Sequence, residues 1–338
     1  MTITRTSTPG SALMRRTAAL AALTTAVVTG SLLPWLSAAN AGLVTHCIGT
    51  GGAVTVPNDL LVPAGESCAL TGTVITGNVT VAAGANLVID GGRTEGTIRV
   101  AADGYLDARA TTIGGSVVLA SGGYGVFLKD ATSGAVTVRP KGTAPIDSFL
   151  FTEGARITGT VNTQGGEVRL GEATEVAGNL VSSGTYYTDL HDSFVDGTLS
   201  VLNSSTGTVV CGSAVRGKAT FAGNVGGVQL GPNGALDSCA SGGYFGGDVS
   251  VTDTTGATIL DDNIIDGQLT AHSNEPAAVI AANNRIRRGV AGAPPATAAQ
   301  RQQASAVTTP RQETVQERAE DRRSTAVQEA DAAGRAHL

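Results

Sequence analysis

The chain has 338 residues, 46 of them glycine, with 4% aromatic and 15% charged side chains and a formal net charge of −6. The glycines follow no Gly-X-Y period, which excludes a collagen triple helix. The acidic balance leaves no electrostatic footprint for nucleic acid or an anionic membrane. Val, Ile, Leu and Ala, together with Thr, fill the places that aromatics would take in a globular core, a composition suited to thin stacked layers.

Residues 1–41 read as a signal peptide. Arg15 and Arg16 close a basic segment, residues 18–36 are apolar, and Ala39-Asn40-Ala41 supplies a small-x-small cleavage site before Gly42. An uncleaved anchor is the alternative, since the apolar stretch is nearly long enough to span a bilayer; Gly30 and Pro34 within it and the cleavage site after it favour export. Losing Arg5, Arg15 and Arg16 takes the charge from −6 to about −9. The long segment MTITRTSTPG at the start resembles the export signals of actinobacteria. The expected location is extracellular, with no membrane contact after cleavage.

From residue 75 the chain repeats itself. ITGNVTV (75–81) is followed by TEGTIRV (94–100), IGGSVVL (113–119), TSGAVTV (132–138), ITGTVNT (157–163), VAGNLVS (176–182), VDGTLSV (195–201), VRGKATF (215–221), FGGDVSV (245–251) and IDGQLTA (265–271). The third position is Gly77, Gly96, Gly115, Gly134, Gly159, Gly178, Gly197, Gly217, Gly247 and Gly267, at spacings of 19, 19, 19, 25, 19, 19, 20, 30 and 20 residues. So regular a period is the mark of a repeat architecture. Within a copy, alternate residues such as Ile75, Val79 and Val81 are apolar, the pattern of a strand with one buried face. A glycine in that inward series suits a bend where a side chain would crowd its neighbours. A second apolar segment follows, LVID (87–90) or YLDA (105–108), separated from the first by turn-forming residues.

A unit of about 19 residues cannot bury its own apolar side and must stack on the next copy. The expected fold is all-β: a single-stranded right-handed parallel β-helix of about ten to eleven rungs, roughly 50 Å long. Ile75, Val81 and Leu87 lie six apart, as in left-handed triangular helices, but a period of 19 breaks the hexad and the longer intervals imply loops. Right-handed winding is therefore preferred.

In chain order, residues 42–70 form an N-terminal cap, 71–291 the β-helix and 292–338 a disordered or transiently helical tail. Residues 140–146 are read as an excursion from one rung. The interval around VGGVQLGPNGALDSC is read as an extra hairpin or partial rung. The tail balances Arg301, Arg311, Arg318, Arg322, Arg323 and Arg335 against six acids and lacks an apolar stripe to dock. The cysteines, Cys47, Cys68, Cys211 and Cys239, are even in number, and disulfides 47–68 and 211–239 are preferred among the three possible connectivities. A zinc site involving His46 is the alternative, disfavoured because no close Cys-x-x-Cys pair exists; no cofactor is expected.

The stretch LVPAGESCALTGTVITGNVTVAAGANLVI (61–89), with its repeated x-x-G-[NT]-[VL], resembles a group of uncharacterised secreted repeat proteins of actinobacteria. Their Val-Pro-x-Gly-x-x-Cys-x-Leu start precedes tandem V-x-G-N-V copies. The resemblance covers about residues 45–290 and implies a pectate-lyase-like right-handed β-helix, with no activity to carry over. Bactofilin-type polymer-forming proteins look similar in repeat style but lack an export signal.

Many β-helices cut polysaccharides, and such enzymes need convergent carboxylates. Asp189, Asp192 and Asp196, near His191, are the catalytic candidates; Asp261, Asp262 and Asp266 are the calcium candidates. Both groups precede repeat motifs, where Asp serves a turn by bonding its own backbone. His191 and His272 read as surface residues. The residues after the motif glycines, among them Asn78, Thr97, Asn179, Thr198 and Asp248, would stack into a polar ladder. Tyr105, Tyr124, Tyr186, Tyr187 and Tyr244 share no column, which speaks against a sugar-stacking platform. The preferred reading is a non-enzymatic protein with a structural or surface-interaction role in the cell envelope, touching an extracellular glycan or cell-wall component as a monomer or by end-to-end self-association. A polysaccharide-active enzyme with Asp189–Asp196 converging beside Arg216 is the alternative. A self-assembling solenoid with a poorly capped rung near Ile286 is the third.

Overall fold

The structure, a computed structural model, describes residues 42–143, 147–292 and 311–338. The expected signal peptide lies outside the described residues. The repeat builds a parallel β-solenoid with three sheets of 13, 12 and 12 strands. Each rung gives one strand to each sheet: Val79–Val81 to the first, Asn86–Asp90 to the second and Arg93–Thr94 to the third. Every strand pairs in parallel with its counterpart one repeat away, so that Val79, Ile98, Val117, Val136 and Val161 form one column. These stacked columns are the continuous core, whose layers include Leu87, Leu106, Val126 and Leu150 in the second sheet and Ile75, Ile113 and Ile157 in the third.

The solenoid is longer than the ten to eleven rungs expected. The segment read as a cap is already regular: Val44–His46, Gly49–Gly51 and Thr55–Val56 make one rung, and Asp59–Val62 and Ser67–Thr71 begin the next. Leu60 and Val62 are buried beneath Val79 and Val81 despite the absence of a motif glycine in their rung. With 13 strands at about 4.8 Å spacing, the first sheet runs nearly 60 Å. Residues 144–146 of the excursion expected at 140–146 lie outside the described residues, and the ladder stays in register across both long intervals. The first lies between Val136–Val138 and Phe149–Glu153. The second, residues 231–243, lies between Val228–Leu230 and Tyr244–Phe245; it contains no strand and is neither hairpin nor partial rung.

The motif glycines are required by close approach. A Cβ at Gly178 would lie 2.7 Å from the Gly159 carbonyl oxygen, and one at Gly134 would lie 2.6 Å from that of Gly115. Their amides donate to the same oxygens, Gly178 to Gly159 at 3.1 Å and Gly134 to Gly115 at 3.0 Å. A separate corner, after most second-sheet strands, takes left-handed backbone, as at Gly91, Ala110, Asp130, Gly154, Asp192 and Gly212. Glycine and aspartate recur there because they tolerate that conformation best.

Both disulfides pair as expected, Cys47 with Cys68 and Cys211 with Cys239. This closes the zinc alternative for those cysteines. The tail corrects the sequence reading: Arg311–Ala333 is an α-helix, here α1, that packs against the second sheet. Its buried contacts are small, with Ala319, Ala326 and Ala330 almost wholly enclosed. Between them Arg322 and Arg323 reach the acids of the sheet. Among the described side chains the docking contacts are made mainly by alanine and arginine, which hydrophobic patterning does not mark.

Candidate functional site

Residues 1, 3 and 5 of each five-residue second-sheet strand face outward, and parallel register stacks them. One outward column runs Asp107, Phe127, Phe151, Arg169, Asp189, Val209, Gln229. These positions would meet solvent if the sheet were bare, yet Asp107 and Asp189 are buried. Two covers explain it. Over the N-terminal half, α1 brings Arg323 to Asp107 (2.7 Å) and Asp90 (2.7 Å), and Ala319 accepts from the Tyr105 hydroxyl at 3.1 Å. Arg318 lies over the rings of Tyr124 and Phe149. Over the C-terminal half, the loop 231–243 is tied by Cys211–Cys239 and by Gln229, whose side chain donates to Asp237 and accepts from Leu236.

A cleft separates the covers, lined by Phe151, Glu153, Arg169, His191, Asp192 and Gln316. Beside it lies an ionic quartet. Arg169 meets Asp189 at 2.9 Å, and His191 Nε2 lies 2.9 Å from Asp189 and 3.6 Å from Asp237 of the covering loop. Burial opposes a charged His191, but its bonds to Asp189 and Asp237 and the charges of both carboxylates outweigh it and hold the pKa at about 10. Asp237 also resists burial: its bond to His191, the Ser238 amide and the nearby cations lower its pKa. Two carboxylates therefore face Arg169 and a His191 that keeps its proton at neutral pH. His191 carries the proton that a general base would have to lack. Ligand atoms of Asp189, His191 and Asp237 lie within 4.8 Å of one another, the one such group among the described residues, and could hold a metal ion. A dication there would have to displace the His191 proton and tolerate Arg169 beside it. The quartet already serves to lock the loop onto the solenoid.

The sequence candidates do not converge. Asp189 belongs to this quartet, Asp192 sits exposed at a left-handed corner, and Asp196 pairs with Arg216 on the third sheet at 3.2 Å. Asp261 is buried and accepts from Asn233 at 2.7 Å, Asp262 occupies another left-handed corner, and Asp266 accepts from the Tyr244 hydroxyl at 2.9 Å. The polar ladder forms on the outside: the Thr97 amide donates to the Asn78 side chain at 3.0 Å and the Thr198 amide to that of Asn179 at 2.9 Å. Asp248 takes the same role toward Gln268, whose amide, with the Lys218 and Arg288 charges, lowers the Asp248 pKa.

The third sheet holds what the tyrosine count missed. Phe194, Ala214, Tyr244 and Ile264 occupy one outward column on consecutive rungs. Phe194, Tyr244 and Ile264 are exposed by 48%, 39% and 42%, although large apolar groups are scarce on the surface. Arg156 and Glu175 continue the same column on the two preceding rungs, Arg216 and Asp196 pair beside it, and together with Phe194 and Tyr244 they line a shallow depression. Each column member stands three residues before a motif glycine, a position legible in the sequence once phenylalanine and isoleucine are counted with tyrosine.

No protein-family model, curated protein or solved structure matches the chain. The architecture thus stands on the three sheets themselves.

Proposed function

We propose that the chain is an exported, non-enzymatic β-solenoid that presents a rigid face to a glycan or cell-wall polymer in the cell envelope. The carrying observation is the Phe194–Tyr244–Ile264 column. Rings two rungs apart lie about 9–10 Å from each other, close to the length of a disaccharide, and Arg216 and Asp196 beside the column, with Arg156 and Glu175 in line with it, offer donors and acceptors to hydroxyl groups. Aromatic faces bordered by a few polar groups are what a sugar ring requires, being apolar on its faces and polar at its edge. The signal-like residues 1–41 and the two disulfides support export. The enzyme alternative has less support, because Asp189, Asp192 and Asp196 face three different surroundings.

The test is a glycan-array and polysaccharide-cleavage screen on residues 42–338, with and without calcium. The expected result is binding without cleavage, weakened at least tenfold by Tyr244→Ala and by Phe194→Ala. Cleavage abolished by Asp192→Ala would establish the enzyme instead, and absence of any binding would overturn the glycan reading.

A further inference from the structure

Both ends of the solenoid carry the chemistry of an interface, and one of them is plugged by the chain's own tail. At the N-terminal end, Gly49–Gly51 pairs with Ser67–Thr71 on one side. On the other side residues 334–336 lie along it as an added strand. The Thr50 amide donates to the Gly334 carbonyl at 2.8 Å, the Ala336 amide donates to the Thr50 carbonyl at 2.9 Å, and Thr50 bridges Arg335 in parallel. Ala336 and Leu338 then pack on the end of the main core. Two glycines make room. A Cβ at Gly49 would fall 2.1 Å from the Gly334 oxygen, and one at Gly51 would collide with Leu338 and Leu70.

The tail covers only the second-sheet edge. Around it Leu43, Val44, Ile48 and Val54 are exposed by 75%, 48%, 38% and 45%. These are four of the ten large apolar residues exposed among those described. At the opposite end Val279–Ile280, Arg285–Ile286 and Val290–Ala291 are the last strands of the three sheets. Val290 is 47% exposed, and Ile280 and Ile286 are only partly buried. Among the described residues, the C-terminal end thus offers three parallel strand edges with an apolar border, and the N-terminal end would do the same once residues 334–338 leave it. Unpaired edges of this kind recruit further strands.

We propose that the two ends form a head-to-tail interface between copies of this chain, and that residues 334–338 hold it shut. The occupant is a second copy because parallel stacking already defines the match: a Val279–Ile280 edge of one copy continues into the Gly49–Gly51 edge of the next, and the other two sheets follow. An end-to-end contact of unlike surfaces does not close on itself and propagates as a filament. α1 supplies the anchor that returns the plug to its seat, through the Arg323 pair and the Glu329 carboxylate, which accepts from Ser67 at 2.6 Å. The proposal is independent of glycan binding.

The experiment compares residues 42–338 with the same chain lacking 334–338, by sedimentation velocity over a hundredfold concentration range and by negative-stain microscopy. The full chain should sediment as a monomer. The shortened chain should form linear assemblies with a weight-average mass at least fivefold higher, and Val54→Lys added to it should return the monomer. Leu338→Asp in the full chain, which unseats the plug without shortening it, should also assemble. A folded, monomeric shortened chain would overturn the proposal, as would equal assembly by the full chain. Loss of the β-sheet signal in both the shortened and Leu338→Asp chains would overturn it too, since a plug must be removable from an intact solenoid.

Discussion

At the residue scale, the motif glycine and the ionic quartet each make a claim that one substitution can test. Gly178 donates its amide to Gly159 while its α-carbon rides against the same peptide, so an added methyl must push two rungs apart. Gly178→Ala should therefore cost about 2–4 kcal/mol, far beyond the small gain expected from restricting the unfolded chain; urea denaturation of residues 42–338 measures it. The quartet gives a pH dependence. His191 titrates near 10 in the folded chain because Asp189 and Asp237 hold its proton, against an unperturbed value of 6.5. A folded pKa above the unfolded one contributes stability that is complete below about 6.5 and is lost as the pH climbs through about 10. The urea midpoint should accordingly fall between pH 7 and 10, and His191→Gln should flatten that decline. A variant as steep as the parent would remove His191 from the account. The roles of Asp192 and Asp262 were legible in the sequence as turn residues. That of Asp189 was not, because its burial depends on a loop more than forty residues further along.

At the element scale, α1 shows where hydrophobic patterning fails as a guide. An amphipathic search looks for leucine and valine at helical spacing, whereas the side chains that α1 buries most deeply among those described are alanines. It buries Ala319, Ala326 and Ala330, which let the helix lie close, and it places Arg322 and Arg323 over Asp103, Asp107 and Asp90. The signal was split between distant segments: an arginine pair in the tail and aspartates at outward positions of the second sheet. The strands were readable because each copy carries its own buried alternation, whereas neither partner of the helix contact is unusual alone. Asp107 is fully buried and shared by Arg109 and Arg323. Arg323→Ala should leave that carboxylate half-compensated and cost about 2–3 kcal/mol. The loss should appear as faster amide exchange along α1, while exchange in the first and third sheets stays unchanged. Uniform acceleration would mean that the helix is integral to the solenoid rather than laid upon it.

At the scale of the whole molecule, the solenoid is a one-dimensional stack in which each rung touches only its neighbours, so stability is set locally and the weakest places are covers and ends. The two covers are held differently: α1 by charge and small-residue packing, the loop 231–243 by Cys211–Cys239, Gln229 and the His191–Asp237 contact. Beneath the loop, Tyr187, Val209 and Cys211 form a small apolar cluster with Leu236, separate from the main core. Replacing Cys211 and Cys239 together by alanine should free the loop from one of its attachments and expose that cluster, while the ladder from Val228–Leu230 to Thr258–Leu260 persists through its own register. Hydrogen exchange should show the change confined to residues 228–243 and to the outward side of Tyr187–His191, with the first sheet protected as before. The midpoint of global unfolding should shift by less than that of a chain in which Cys47 and Cys68 are replaced together. That pair ties the first rung to the second, where the stack ends and only residues 334–338 lie beyond it. If removing the second disulfide instead unravels the ladder beyond residue 244, the loop is the support on which the last rungs stand, and the solenoid is two cooperative halves joined near the cleft.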